Sequence, residues 1–150
     1  MAIWLTFGFV FGALFVLMIT IRMARVDITQ WHIMPEPNAS GFHVMPHGVH
    51  AVVPIKARQE DVIAAVQDIA RHTPRTRVIA GGVSEGKVTF ETRLRVFGFP
   101  DYTTVATAQS KGQDVLMIHA RLRFGRKDFG VNAARVQNWL SQLDAVVLRS

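Results

Sequence analysis

The chain has 150 residues, with 17 Lys and Arg against 11 Asp and Glu, six His and no Cys, for a formal charge of +6. That length holds one domain. The lack of thiols excludes disulfides, thiol catalysis and a lipid-modified cysteine anchor, while the basic excess favours contact with anionic headgroups or an acidic protein surface.

The first element reads as a membrane span. Ile3 to Ile21 carries no charge, and at about 1.5 Å per residue it covers close to the roughly 30 Å hydrocarbon core of a bilayer. Arg22 and Arg25 follow where a span meets headgroups, and Trp4 sits near the other interface. A signal peptide would want basic residues before the apolar run and a small-x-small cleavage site after it. Ile21-Arg22-Met23-Ala24-Arg25 offers no such site, so an uncleaved single span over residues 1–25 is expected. Gly8 and Gly12 form a G-x-x-x-G, a spacing that lets two helices approach closely in lipid. Expected partners are therefore membrane lipid and other membrane protein subunits. The span has no His to ligate a haem; no cofactor is expected.

Residues 26–48 read as a linker, with Pro35, Pro37, Pro46, Gly41 and Gly48 and no sustained period. The domain then occupies 49–150. Val49 to Ile55 is a short apolar strand, with Pro54 marking an edge or end. Arg58 to His72 is a helix: Val62, Val66 and Ile69 recur at helical spacing, acids lie in its first turn and bases in its last, and Pro74 stops it. Arg77 to Ala80 is a second strand. Lys87 to Phe97 alternates, with Val88, Phe90, Leu94 and Val96 on one side and Glu91, Arg93 and Arg95 on the other. Tyr102 to Gln109 is a fourth strand. Asp114 to Phe124 alternates again, setting Leu116, Ile118, Ala120, Leu122 and Phe124 against His119, Arg121 and Arg123. A last helix from about Asn132 to Val147 carries the stripe Val136, Trp139, Leu140, Leu143 and Val147, with Asn132 as its N-cap. The order β-α-β-β-β-β-α, with strands this closely spaced, predicts an α+β two-layer sandwich. In it an antiparallel sheet of about five strands is covered on one face by two helices.

In a meander of the last three strands, Arg93, Arg95, Arg121 and Arg123 share the face away from the helices, with Arg126 and Lys127 at one end. Like charges on neighbouring strands repel. The row is therefore either a site for phosphates, headgroups or acidic side chains, which suit guanidinium forks, or a solvated face whose stems cover apolar area. Asp128-Phe129-Gly130-Val131-Asn132 reads as a structural corner: Asp128 can accept helix amides, Gly130 allows positive φ, and Phe129 and Val131 can pack beneath the helix as a staple.

His43, His47 and His50 do not make a metal site, because Pro46 and Gly48 break their spacing and no acid lies close by. His32, His72 and His119 have no nucleophile or paired carboxylate at a suggestive distance. No Ser lies in a G-x-S-x-G turn, and phosphate-loop and dinucleotide glycine patterns are absent. No catalytic residue, metal ligand or nucleic-acid motif is assigned, and a non-enzymatic role is expected.

The C-terminal half carries Phe99-Pro100-Asp101 and Arg121-x-Arg123-x-Gly125-x-x-Asp128-Phe129-Gly130-x-Asn132-x-x-Arg135. These segments resemble the signature of the bacterial and plastid domain-of-unknown-function family fourteen ninety-nine, over roughly Val49 to Leu143. The chain lacks the paired cysteines of that family's lipoprotein members, and Tyr102 stands where a second Asp is usual. Asp128, Gly130 and Asn132 carry over as a fold signature only. Many members look exported or membrane-anchored. The resemblance therefore implies a bacterial inner-membrane protein with a periplasmic domain, against the cytoplasmic vote that Arg22 and Arg25 cast under the positive-inside rule; the periplasmic side is preferred.

Together these features predict a membrane-anchored interaction module, an accessory or assembly subunit of an inner-membrane complex. The alternative is a tethered domain that binds a small hydrophobic ligand or lipid between sheet and helix.

Overall fold

A computed structural model of the chain describes residues 2–37, 40–95 and 98–144. Helix α1 (Ala2–Met23) has 22 residues and a very apolar composition, so at about 1.5 Å per residue it is roughly 33 Å long. It is long and apolar enough to cross a membrane, and none of its apolar window is buried within the chain. A single turn, α2 (Ile28–Trp31), follows, with Asp27 as N-cap accepting the Thr29 amide at 3.0 Å. The remainder is an α+β fold: strands β1 (Gly41–Met45) and β2 (Gly48–Pro54), helix α3 (Gln59–His72), strands β3 (Thr76–Gly82), β4 (Lys87–Arg93), β5 (Pro100–Ser110) and β6 (Gln113–Leu122), and helix α4 (Val131–Leu143).

One antiparallel sheet runs β1-β2-β6-β5-β4-β3. The meander of β4 to β6 is as expected; β3 adds to it beside β4, and β2 closes on β6 through a register that sets His50 opposite His119. The sheet has six strands rather than five. The extra strand, β1, lies in the stretch expected to be a linker; Phe42 packs against the core, and Pro46-His47 makes the turn to β2. Strand β4 stops at Arg93 and leaves Arg95 in the following turn, and β6 stops at Leu122. The expected strand positions Val96 and Phe97 and the helix position Val147 lie outside the described residues.

Alternation decides the two faces. Val88, Phe90, Val105, Leu116, Ile118 and Ala120 point at α3 and α4 and are buried with Val62, Val66, Val136 and Leu143. Trp139 is fully buried among them, edge-on to Phe90 at 5.4 Å, and its indole donates to Thr73 Oγ1 at 2.9 Å. That pairing satisfies the one polar atom of a large core side chain. The opposite face carries Val52, Ala106, Val115 and Met117, covered by Met34. The first part of the predicted linker, up to Met34, is therefore a strap laid over the outer face of the sheet.

Candidate functional site

The strap explains the arginine row. Arg121 donates to the backbone carbonyls of Gln30 (3.3 Å) and Trp31, and its guanidinium lies 4.9 Å over the Trp31 ring. Arg123 donates to the carbonyls of Ala24 (3.2 Å) and Arg25 (2.8 Å) and to the Tyr102 hydroxyl (2.9 Å). Arg93 donates to the carbonyls of Arg22 (3.1 Å) and Gly98 (3.2 Å) and to Glu91 (2.8 Å). Glu91 is buried and also takes a two-pronged contact from Arg77, each prong 3.3 Å. Three guanidinium groups, from β4 and from the end of β6 on either side of β5, thus share one long acceptor, the run of carbonyls where the chain leaves α1. Burial pulls the Arg121 guanidinium down from its ordinary value, a cost that the carbonyls and the ring face beside it work against.

Other strap contacts lock the same geometry. Trp31 packs against Tyr102 with ring centroids 4.4 Å apart and the planes tilted by 41°, and Thr104 Oγ1 donates to the Trp31 carbonyl at 2.6 Å. His32 Nδ1 shares a 2.8 Å hydrogen bond with Thr89 Oγ1. Arg93, Arg121 and Arg123 are therefore brought together, as expected of the face, and their forks are taken up by the chain itself. Arg95, Arg126 and Lys127 are not part of that clamp: they are exposed in the turns that follow β4 and β6.

A second polar cluster lies on the helix side, at the start of α4. Asp128 is buried and accepts the Asn132 amide at 3.0 Å and its Nδ2 at 2.6 Å; Asn132 Nδ2 also reaches Asp101 at 3.1 Å. Arg135 donates to Asn132 Oδ1 and to Thr103 Oγ1 (3.2 Å). Burial pushes the Asp101 carboxyl up to about 6, with Arg135 and Asn132 opposing and Asp128 adding to the rise. Asn132 is thus not the N-cap. Gly130, at φ 81°, holds that position and the Asp128 side chain does the capping. The expected staple is also absent: Phe129 sits at φ 51° and is 88% exposed, and Val131 is 45% exposed. Two consecutive left-handed residues turn the chain so that Asp128, not Phe129, enters the space beneath the helix.

Three histidines line up on the outer sheet face, with the His50 and His119 rings 5.5 Å apart. His43, His50 and His119 occupy one rung across β1, β2 and β6, and among the described residues no group of three or more His, Cys, Asp or Glu could hold a metal ion. Burial, with Arg121 and His50 adding, pulls His119 down to about 4, so its ring is neutral at pH 7.

A family model described as protein of unknown function (DUF1499) matches residues 32–143. The chain belongs to the DUF1499 family. No curated protein and no solved structure matches it. The DUF1499 match starts at His32, in the strap, and includes every residue of the buried cluster from Asp101 to Arg135, while α1 and the carbonyls of residues 22–31 precede it. The resemblance read from Pro100-Asp101 and the Gly-x-x-Asp-Phe-Gly-x-Asn segment thus corresponds to one physical object, the corner that ties α4 to β5. Tyr102, in place of the expected second Asp, offers Arg123 a hydroxyl instead of a carboxylate. Patterning did not single out Trp31, His32 and Met34 as sheet contacts. The local signal was Asp27 followed by Ile28 and Trp31, a capped turn that presents apolar side chains three apart.

Proposed function

We propose that this DUF1499 protein is a non-enzymatic, membrane-anchored interaction module, an accessory or assembly subunit of an inner-membrane protein complex, with α1 as its uncleaved anchor and the domain on the periplasmic side. The observation that carries the reading is the clamp of Arg93, Arg121 and Arg123 on the carbonyls of residues 22–31. A leader destined for removal leaves an accessible segment after its apolar core. Here that segment is hydrogen-bonded into the sheet, so cutting near Ala24 would take the Arg22 carbonyl from Arg93 and the Ala24 carbonyl from Arg123, leaving Arg121 on the carbonyls of Gln30 and Trp31. The clamp also holds the domain at a set position relative to the end of α1, which suits a subunit that meets neighbours in the same membrane. Gly8 and Gly12, with Ala13, Val16 and Leu17, line a shallow apolar groove on α1, open to a second helix.

Two observations support the non-enzymatic reading. Asp101, Asp128 and Arg135 are each hydrogen-bonded to Asn132 under α4, and His119 is half-buried on the outer sheet face beside Arg121. Nothing among the described residues favours the ligand-carrier alternative. Trp139, Phe90, Leu116 and Ile118 fill the space between sheet and helices, and the described concavities are surface features, such as one of about 500 Å³ lined by Arg58, Glu60, Glu85 and Asp114.

The test is native mass analysis after gentle detergent extraction from the host membrane. The wild-type chain is expected at its full mass within a larger assembly, and Gly8→Leu is expected to release it. A full-length monomer in both samples overturns the subunit reading, and a soluble chain beginning near residue 25 overturns the anchor.

A further inference from the structure

We propose that the end of the domain nearest α1 docks on the bilayer itself, with Phe129 inserted as an apolar wedge and Arg126 and Lys127 set against anionic lipid headgroups. This rests on α1 being a membrane anchor.

The strand directions gather several loops at one end of the sheet. Strands β4 and β6 run toward it and β5 and β2 start from it, so the β4–β5 turn, the β6–α4 loop and the β1–β2 turn all lie there. The last two are tied together: the Leu122 amide donates to the His47 carbonyl at 2.8 Å and the Asp128 amide to the Pro46 carbonyl at 3.0 Å. The same end holds the exit of α1, because Arg93 takes the Arg22 carbonyl and Arg123 takes those of Ala24 and Arg25. Arg22 and Arg25 are the headgroup-level residues of a span of this length. Phe129 is therefore only six positions along the chain from a residue bonded to the membrane exit.

At this place the chain does something costly in water. Phe129 is a bulky residue in the left-handed region, φ 51°, and 88% exposed. Val44 (65% exposed), Met45, Pro46 and Phe129 line a shallow concavity of about 410 Å³ that also includes Lys127. Arg126 and Lys127 are exposed, and among the described residues neither forms an ion pair, since the Asp128 carboxylate beside them is turned in to Asn132. An apolar projection flanked by unpaired bases, next to the end of a span, matches the chemistry of an anionic lipid surface: apolar below, phosphate above.

Because the chain has no Cys, Phe129→Cys can carry a single nitroxide label. The full-length protein would be placed in nanodiscs of mixed phosphatidylglycerol and phosphatidylcholine, or of phosphatidylcholine alone. Collision with oxygen, which concentrates in lipid, is compared with collision with a water-soluble nickel chelate. Lys111→Cys, in the turn at the opposite end of the sheet, is the aqueous reference, and Val44→Cys is a second probe of the patch in case the loop is disturbed. Labels at 129 and 44 are expected to favour oxygen and the label at 111 the chelate. Arg126→Gln with Lys127→Gln should weaken the insertion by about tenfold or more in the anionic discs, the order expected for two bases at such a surface. Chelate access at 129 and 44 equal to that at 111 overturns the proposal. Labels shielded from both reagents also overturn it, by showing a protein cover, yet leave the subunit reading standing. Equal insertion in both lipids overturns the headgroup contact. Loss of α1, visible in the intact mass before any label is read, sinks the anchor on which both readings stand.

Discussion

Replacing Arg121 by Ala should release the strap without unfolding the sheet. The guanidinium reaches three carbonyls, but at 3.3 Å and 3.5 Å those of Gln30 and Ile33 are marginal, so the Trp31 carbonyl dominates. One charge-assisted hydrogen bond is worth about 1.5–3 kcal/mol, and the contact with the Trp31 ring, 4.9 Å away, adds about 0.5–1 kcal/mol. The charge gives back part of this because burial is unfavourable to it. A net loss of about 2–3 kcal/mol corresponds to roughly a 30- to 150-fold rise in strap opening. Hydrogen exchange reads this directly. The amides of Gln30 and His32, bonded to the carbonyls of Asp27 and Ile28, should exchange faster by that factor, while the amides of the β5–β6 ladder keep their rates. Arg121→Lys should fall between, since an ammonium keeps the charge but loses the fork. Unchanged exchange in the strap would refute the clamp, and equal acceleration in β5 and β6 would show that Arg121 supports the sheet as a whole.

Three further outcomes follow from the geometry. Asp128→Ala removes the cap and leaves the buried Asn132 donors short of an acceptor, which should cost about 2–4 kcal/mol and lower Tm by roughly 10–25 °C in a thermal melt. Gly48→Ala would set a Cβ 2.0 Å from the Ala120 carbonyl oxygen at a φ of 153°, so β2 must shift off β6; urea titration should show a loss of about 3 kcal/mol or more. The third concerns pH. His119 titrates near 4 in the fold against about 6.5 unfolded, so it removes stability as pH falls from 6.5 to 4. Asp101 titrates near 6 against about 3.9 unfolded, so it removes stability as pH rises from 4 to 6. The two oppose, and wild-type stability should change little between pH 4 and 6. Asp101→Asn should expose the His119 slope, with stability falling toward acid, and His119→Gln the Asp101 slope, with stability falling toward neutral pH. Each is at most about 1.4 kcal/mol per unit, and less for the half-buried His119 ring. Parallel pH profiles for the two variants would refute both assignments.

The apolar run of α1, the alternation in β4 and β6, and the helical stripes of α3 and α4 are local patterns with periods of their own, and the sequence alone determined them. With them came the helix-covered antiparallel sheet and the placement of Arg93, Arg121 and Arg123 on its other face. The Asp128–Gly130–Asn132 corner was legible as a corner, because short polar and glycine residues at a helix start have few other uses. What those groups bind was decided only by the tertiary structure. Arg121 meets carbonyls some 90 positions earlier in the chain, and Asn132 meets Asp101 across 31. No period or composition links such residues. Backbone carbonyls, present at every position, carry no sequence signal at all, so a row of arginines satisfied by them reads the same, residue by residue, as a row waiting for an anion.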